Sequence, residues 1–210
     1  ELIKKLHRDL MKDLIKDGLG ELRNDYVFVG HKTKGAIVVK HNPPYHKKDE
    51  IEKYLNDLNV WLMEPDQTHP LIKAGIYHHQ FVYVHPFFDG NGRLARILTS
   101  YYLLLKKYEV DKYFILDDYY DIDRHLYSDT LHLADKGDET KWLEYFLEGI
   151  AHSLQAALAR VQNLKSDSVD KLAGEKRVLV TNREEEVLQL VIQKKAIKMN
   201  DIQLLFNVTR

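Results

Sequence analysis

His85-Pro86-Phe87-Phe88-Asp89-Gly90-Asn91-Gly92-Arg93-Leu94-Ala95-Arg96 decides how the chain is read. This stretch sets one imidazole, one carboxylate, two glycines and two guanidiniums ahead of an apolar helical run. Glycine admits positive φ, which lets successive N–H groups converge on an anion. The helix that starts near Arg93 adds unpaired N–H groups and the positive end of its dipole. Arg93 and Arg96, three apart, share a face of the first helical turn, where forked guanidiniums can grip phosphate oxygens. Asp89 supplies the hard oxygen that Mg²⁺ prefers. His85, across the loop, can take a proton from an attacking hydroxyl near neutral pH. Together these are the parts of a phosphoryl- or nucleotidyl-transfer site, in which positioning and charge neutralisation dominate. A glycine-rich turn alone commonly just reverses the chain, and it is the co-occurrence of all these residues at fixed offsets that outweighs that reading. The absence of Gly-x-x-x-x-Gly-Lys-Ser/Thr argues against a P-loop.

Working outward, Pro70–Val84 reads as a helix with proline in its first turn. Leu71, Ile72, Ala74, Ile76, Phe81 and Val82 spread apolar surface around it, so it is placed centrally. Pro86 disfavours its continuation past His85. Arg93–Lys107 follows as a largely apolar helix. Upstream, Lys48–Met63 shows one face of Ile51, Leu55, Leu58 and Leu62. Residues 1–16 repeat Leu2, Leu6, Leu10 and Leu14 until Gly18 and Gly20 stop the pattern. Tyr26–Gly30 and Ala36–Lys40, joined by His31–Gly35 and closed by Pro43 and Pro44, predict a β-hairpin. Downstream, Tyr119–Ala134 is weakly helical and Thr140–Leu164 strongly so, through Trp142, Phe146, Ile150, Leu154, Leu158 and Val161. The organisation is thus a core over residues 1–164, a linker at 165–176 and a small unit at 177–210. In that unit Asn182 with Glu185 caps one helix and Asp201–Phe206 forms a second, like part of a helix-turn-helix or winged helix. The fold class is mainly α, a helical bundle with one β-hairpin.

Lys and Arg number 31 against 32 Asp and Glu, a net charge of -1, so no global field favours nucleic acid or anionic membrane. DNA contact would rest on the thin basic footprint of Lys194, Lys195 and Lys198. There is no cysteine, no apolar run of the roughly 20 residues that span a bilayer and no signal-peptide pattern. A soluble, cytoplasmic protein is expected, and a first residue of Glu suggests a part of a longer chain. His69, His78, His79 and His85 offer a competing metal site, since 78 and 85 share a helix face. The lack of cysteine and the use of His85 as a base argue against it.

The stretch from His85 to Arg96 matches the Fic motif, His-x-Phe-x-Asp/Glu-Gly-Asn-Gly-Arg-x-x-Arg, at every specified position. The chain resembles that family over roughly residues 20–150, where Pro43-Pro44, Trp61, His69-Pro70-Leu71-Ile72 and Gln80-Phe81 are further landmarks. The resemblance implies a helical protein that transfers AMP from ATP to a hydroxyl side chain of a target protein. It makes His85 the general base, Asp89 the Mg²⁺ ligand, and Gly90, Asn91 and Gly92 the anion-binding loop. Arg93 and Arg96 would hold the β- and γ-phosphates, and Phe87 would anchor the loop in the core. The hairpin corresponds to the family's flap, which aligns a target segment by strand addition.

Arg124-His125-Leu126-Tyr127 resembles an Arg-x-x-Tyr-Tyr element near the nucleobase, with Ser128 in place of the second Tyr. Tyr127 is therefore a candidate nucleotide contact, set against a buried structural tyrosine. Many members carry an inhibitory Ser/Thr-x-x-x-Glu-Gly/Asn helix whose Glu pairs with the second motif arginine, here Arg96. Thr181–Glu185 has that spacing, but Glu186 follows where Gly or Asn is wanted, and the match is read as coincidence. One class keeps that helix upstream of a segment like residues 1–16, so this chain alone is expected to be deregulated. Related chemistries on the same loop are transfer of UMP or phosphocholine and removal of AMP. From another class, a DNA-binding regulator could use the core to sense nucleotide. Expected partners are the target protein, the chain itself, a second copy in a homodimer, and DNA through residues 177–210; no membrane is expected.

Overall fold

A computed structural model describes residues 1–33, 35–108 and 116–173. The elements run α1 (Leu2–Met11), β1 (Val29–Thr33), β2 (Ala36–His41), α2 (Lys48–Met63), α3 (Pro70–Val84) and α4 (Asn91–Leu105). They continue with α5 (Leu116–Ile122), α6 (Arg124–Leu133), a 3-10 turn (Ala134–Lys136) and α7 (Thr140–Ala173). The fold is mainly α, with one two-stranded antiparallel sheet among the described residues. Two compact units divide the chain, Glu1–Arg160 and Val161–Arg210. Of the second, the end of α7 is described; the helices expected at Asn182 and at Asp201–Phe206, and Thr181–Glu186, lie outside the described residues. No helix among the described residues is long and apolar enough to cross a membrane.

α3 is the central helix because it has little polar surface to give to water: Ala74, Tyr77, Phe81, Val82 and Val84 are all buried. It packs on α2 through Ile51, Leu55, Leu58 and Leu62, and on α4 through Leu94, Leu98, Tyr102 and Leu103. Gly75 admits α7. A Cβ there would meet Leu143 Cδ2 at 2.7 Å, and the Gly75 carbonyl accepts from Trp142 Nε1 at 2.8 Å. Lys73, 3% exposed, turns its ammonium to the carbonyls of Trp61 (3.2 Å) and Glu64 (2.7 Å) and to Asp66 (2.9 Å). A cation thus sits on the carbonyl end of α2, where the helix dipole favours it.

Several boundaries differ from the periodicity. α1 ends at Met11 rather than near residue 16, because the chain doubles back along it: Gly20 donates its N–H to His7 Nδ1 at 2.9 Å. The hairpin is displaced toward its turn, with Thr33 opposite Ala36 and Gly30 opposite Val39. Gly35, at φ +88°, supplies the left-handed turn residue, and the strands zip directly from it. Residues 119–134, read as one helix, are split at Asp123. Its carboxylate accepts the N–H groups of His125 (3.0 Å) and Leu126 (2.9 Å), so it caps a new helix. α7 also continues to Ala173, through most of the stretch read as linker.

Candidate active site

His85 closes α3 in a left-handed conformation, φ 49° and ψ 64°, its N–H still donating to the Phe81 carbonyl at 3.2 Å. A β-carbon in that region costs about 1–2 kcal/mol, so something must hold it. Arg23 does, from the segment before the hairpin. Its Nε donates to the His85 carbonyl (2.6 Å) and its Nη2 to those of Val84 (3.0 Å) and Tyr45 (2.6 Å). Its Nη1 donates to the Asp25 carbonyl (2.7 Å), and its main-chain N–H reaches the Pro86 carbonyl (3.0 Å). The ring of His85 is aimed as well: Nδ1 lies 3.3 Å from the Val82 carbonyl, an acceptor only, so Nδ1 carries the hydrogen and Nε2 presents a lone pair. Burial pushes the imidazole down to about 4, which keeps it neutral at pH 7.

The loop after His85 is built on Phe87, fully buried and stacked on the His7 ring at 3.9 Å between centroids. Because Gly20 donates to His7 Nδ1, the other nitrogen is the donor, and it reaches the Asp89 carbonyl at 3.0 Å. Asn91 turns its side chain inward, accepting from Phe87 N–H (2.9 Å) and donating to the Phe87 carbonyl (2.8 Å). What Asn91 offers an anion is therefore its main-chain N–H. The first intrahelical donor of α4 is Leu94 N–H to the Gly90 carbonyl (2.9 Å), which leaves the N–H groups of Asn91, Gly92 and Arg93 at an open helix start. Arg93 Nη2 sits 3.3 Å from Asp89 Oδ1 on the exposed side, and Arg96 Nη1 lies 3.9 Å from where a Gly92 Cβ would stand.

The two loop glycines do different work. Gly90 is left-handed, φ +80°, and a Cβ would strike Met11 Sδ at 2.7 Å, whereas a Cβ at Gly92 would enter open space beside Arg96. Gly90→Ala is expected to lower stability by about 1–3 kcal/mol, combining strain with overpacking. Gly92→Ala should leave thermal stability unchanged and weaken nucleotide binding; melting curves with and without ATP separate the two.

Residues 1–103 match the Fic/DOC family. Over those residues the chain carries a match to the Fic/DOC family domain. It is 30% identical over 131 residues to "Protein adenylyltransferase Fic" of Nematostella vectensis, covering 61% of this chain and 29% of that protein. It is 27% identical over 191 residues to "Protein adenylyltransferase fic-1" of Caenorhabditis elegans, covering 90% and 34%. The chain therefore spans about a third of the length of these curated relatives. The solved structure of Fic-1 (residues 134–508) from C. elegans superposes with a TM-score of 0.58 at 24% identity, over 77% of this chain and 43% of that one, and shares the fold.

Beyond the residues matched to the Fic/DOC family, Tyr127 sits within an aromatic cluster. Its hydroxyl lies 2.9 Å from His78 Nε2, and its ring is 4.6 Å from that of Tyr120. His78 Nδ1 faces Thr99 Oγ1 at 3.1 Å; that hydroxyl donates to the Ala95 carbonyl, so His78 donates to it and accepts from Tyr127. The four-histidine metal site does not form. His69 caps α3, His78 lies in the core, His79 pairs with Asp135 and Glu139, and His85 turns Nδ1 to the Val82 carbonyl. Arg23 and His7 are site residues that the motif does not contain. His7 had a signal, an imidazole at i+4 from Ile3 and i−4 from Met11 on the apolar stripe of α1. Arg23 stands in a segment without periodicity and had none.

Proposed function

We propose that this chain is a nucleotidyltransferase that moves AMP from ATP to a hydroxyl side chain of a target protein. The observation that carries the reading is the loop itself: a neutral His85 with Nε2 unprotonated precedes it, and an open helix start flanked by Arg93 and Arg96 follows. The names of the relatives, protein adenylyltransferases, point the same way. In the step proposed, the target hydroxyl oxygen bonds to the α-phosphorus, its proton passes to His85 Nε2, and the bond to the bridging oxygen breaks to release diphosphate. The N–H groups of Asn91, Gly92 and Arg93 and the two guanidiniums would hold the departing phosphates.

The donor set fits Mg²⁺. Asp89 is an exposed carboxylate whose protein contacts, among the described residues, all fall on Oδ1, leaving Oδ2 as a hard ligand beside phosphate oxygens. When bound, the ion would neutralise phosphate charge. At the nucleobase end Tyr127 would contribute its ring alone, its hydroxyl being engaged by His78. The exposed edge of the hairpin, with Val38 and Val39 outward, would take the target segment as an added strand.

The test is incubation with Mg²⁺ and ATP labelled at the α- or the γ-phosphate, with the chain alone and with a lysate as target source. Covalent protein label from the α position is expected. Label from the γ position alone would replace AMP transfer by phosphoryl transfer, and no label despite measurable ATP binding would leave a nucleotide-binding domain.

A further inference from the structure

The strongest unassigned cluster lies where the hairpin meets the helices. His41 ends β2, His132 lies in the last turn of α6, and Asp135 sits in the 3-10 turn that follows. One ligand atom from each falls within 4.8 Å of the other two, the single such group of three among the described residues. Asp135 Oδ2 is 2.7 Å from His41 Nδ1 and 3.2 Å from His132 Nδ1, and the two imidazoles stack at 5.1 Å between centroids. We propose that His41, His132 and Asp135 form a binding site for a transition-metal dication of the zinc class, at the root of the hairpin.

Three features support a ligand there rather than hydrogen bonds alone. First, the outer partners that orient metal ligands are present. His41 Nε2 reaches the Tyr83 carbonyl at 2.7 Å, which fixes the hydrogen on Nε2 and turns Nδ1 toward Asp135. Asp135 Oδ1 is held by His79 Nε2 at 3.0 Å. His79 Nδ1 in turn lies 3.1 Å from Glu139 Oε1, which Gln80 also holds at 2.6 Å. Second, with protons alone a single carboxylate has to serve three imidazoles at once, whereas a dication would take the place of two of those protons. Third, the spacing is close to what is needed. A tetrahedral zinc ion with bonds of about 2.0–2.1 Å sets neighbouring ligand atoms roughly 3.3 Å apart, so the His132–Asp135 separation already fits and the His41–Asp135 one must open by about half an ångström. Two imidazoles and one carboxylate suit zinc, cobalt, nickel or copper rather than Mg²⁺ or Ca²⁺.

Entry is also provided. His41 is buried, but His132 and Asp135 are only half-buried, and Asp135 borders a surface pocket shared with His79, Gln80, Tyr83 and Glu139. A metal held there leaves a fourth position for water. It would fasten the hairpin to α6 beside the Lys40–Asp129 ion pair at 2.6 Å, on the side of α3 where His41 and His132 are near enough to act on the charge of His85.

The test uses the 210-residue chain after chelator treatment, titrated with Zn²⁺ by calorimetry and with Co²⁺ by visible absorption. One equivalent is expected, with the absorption of four-coordinate cobalt. His132→Ala should weaken binding by more than the roughly 10–100-fold that loss of an outer partner costs, while the exposed His125→Ala on the same helix should not. If His132→Ala fails to fold by circular dichroism, Glu139→Gln takes its place, with a loss of roughly 10–100-fold expected. No stoichiometric uptake by the native chain overturns the proposal. So does uptake that the folded variant leaves unchanged, since that marks an adventitious ion only.

Discussion

An Arg23→Met chain is expected to unfold with about 3–5 kcal/mol less stability than the native one, read from urea midpoints at unchanged slope. Arg23 is 1% exposed, and its guanidinium serves four carbonyls, those of Asp25, Tyr45, Val84 and His85, at 2.6–3.0 Å. Each hydrogen bond from a charged donor contributes roughly 1.5–3 kcal/mol, and four around one group are not additive. Removing the donor also leaves buried acceptors without partners, which costs more than the bonds were worth. Against a typical total of about 5–15 kcal/mol the loss would bring the fold near its threshold. Arg23→Lys should fare little better, because one ammonium with three hydrogens cannot span four carbonyls drawn from three segments. A lysine variant within about 0.5 kcal/mol of native would remove the clamp from the account. The expected loss is structural and functional together, since two of the four carbonyls flank the peptide that sets His85.

The contrast between Arg23 and the motif shows what the chain makes legible. α2 and α3 could be bounded to the residue because their apolar faces repeat at three and four and proline marks the start of α3. The break at Asp123 could not, because a side-chain cap competes with helical periodicity and leaves no gap in the apolar pattern. The hairpin's register was set by Gly35 at its turn, not by the aromatic residues Tyr26 and Phe28, which remain exposed and unpaired in the sheet. In the site, the residues that would face a ligand are contiguous, so the motif reads directly. Those that hold the motif in shape come from far along the chain: His7 is 82 residues from Asp89, and Arg23 is 62 from His85. Asn91 shows the limit from within. Its place in the loop was legible, while the inward turn of its amide onto Phe87 was not.

His85→Gly is expected to abolish transfer without loss of stability. Removing a general base costs roughly 10²–10⁴ in rate. Most substitutions at a half-buried, hydrogen-bonded position also destabilise by about 0.5–3 kcal/mol. Here the balance differs. Glycine accepts φ 49° and ψ 64° freely, returning about 1–2 kcal/mol of strain, and gives back part of it through unfolded-chain entropy and the lost 3.3 Å contact to Val82. The variant should therefore lie within about 1 kcal/mol of native at pH 7, with His85→Ala, which keeps the strain, below it.

Acid sharpens the comparison. The folded imidazole titrates at about 4 and the unfolded one near its ordinary 6.5, so as pH falls the unfolded chain takes up a proton that the fold refuses. His85 thus subtracts stability between about 6.5 and 4, and the glycine chain should gain on native across that window. The His85 ring signals in NMR should stay those of the neutral form through pH 6.5 and change only as pH nears about 4. Transfer by His85→Gly at the native rate would falsify the base assignment. A ring that titrates near 6.5 would remove the burial argument, and a destabilisation above about 2 kcal/mol would remove the strain.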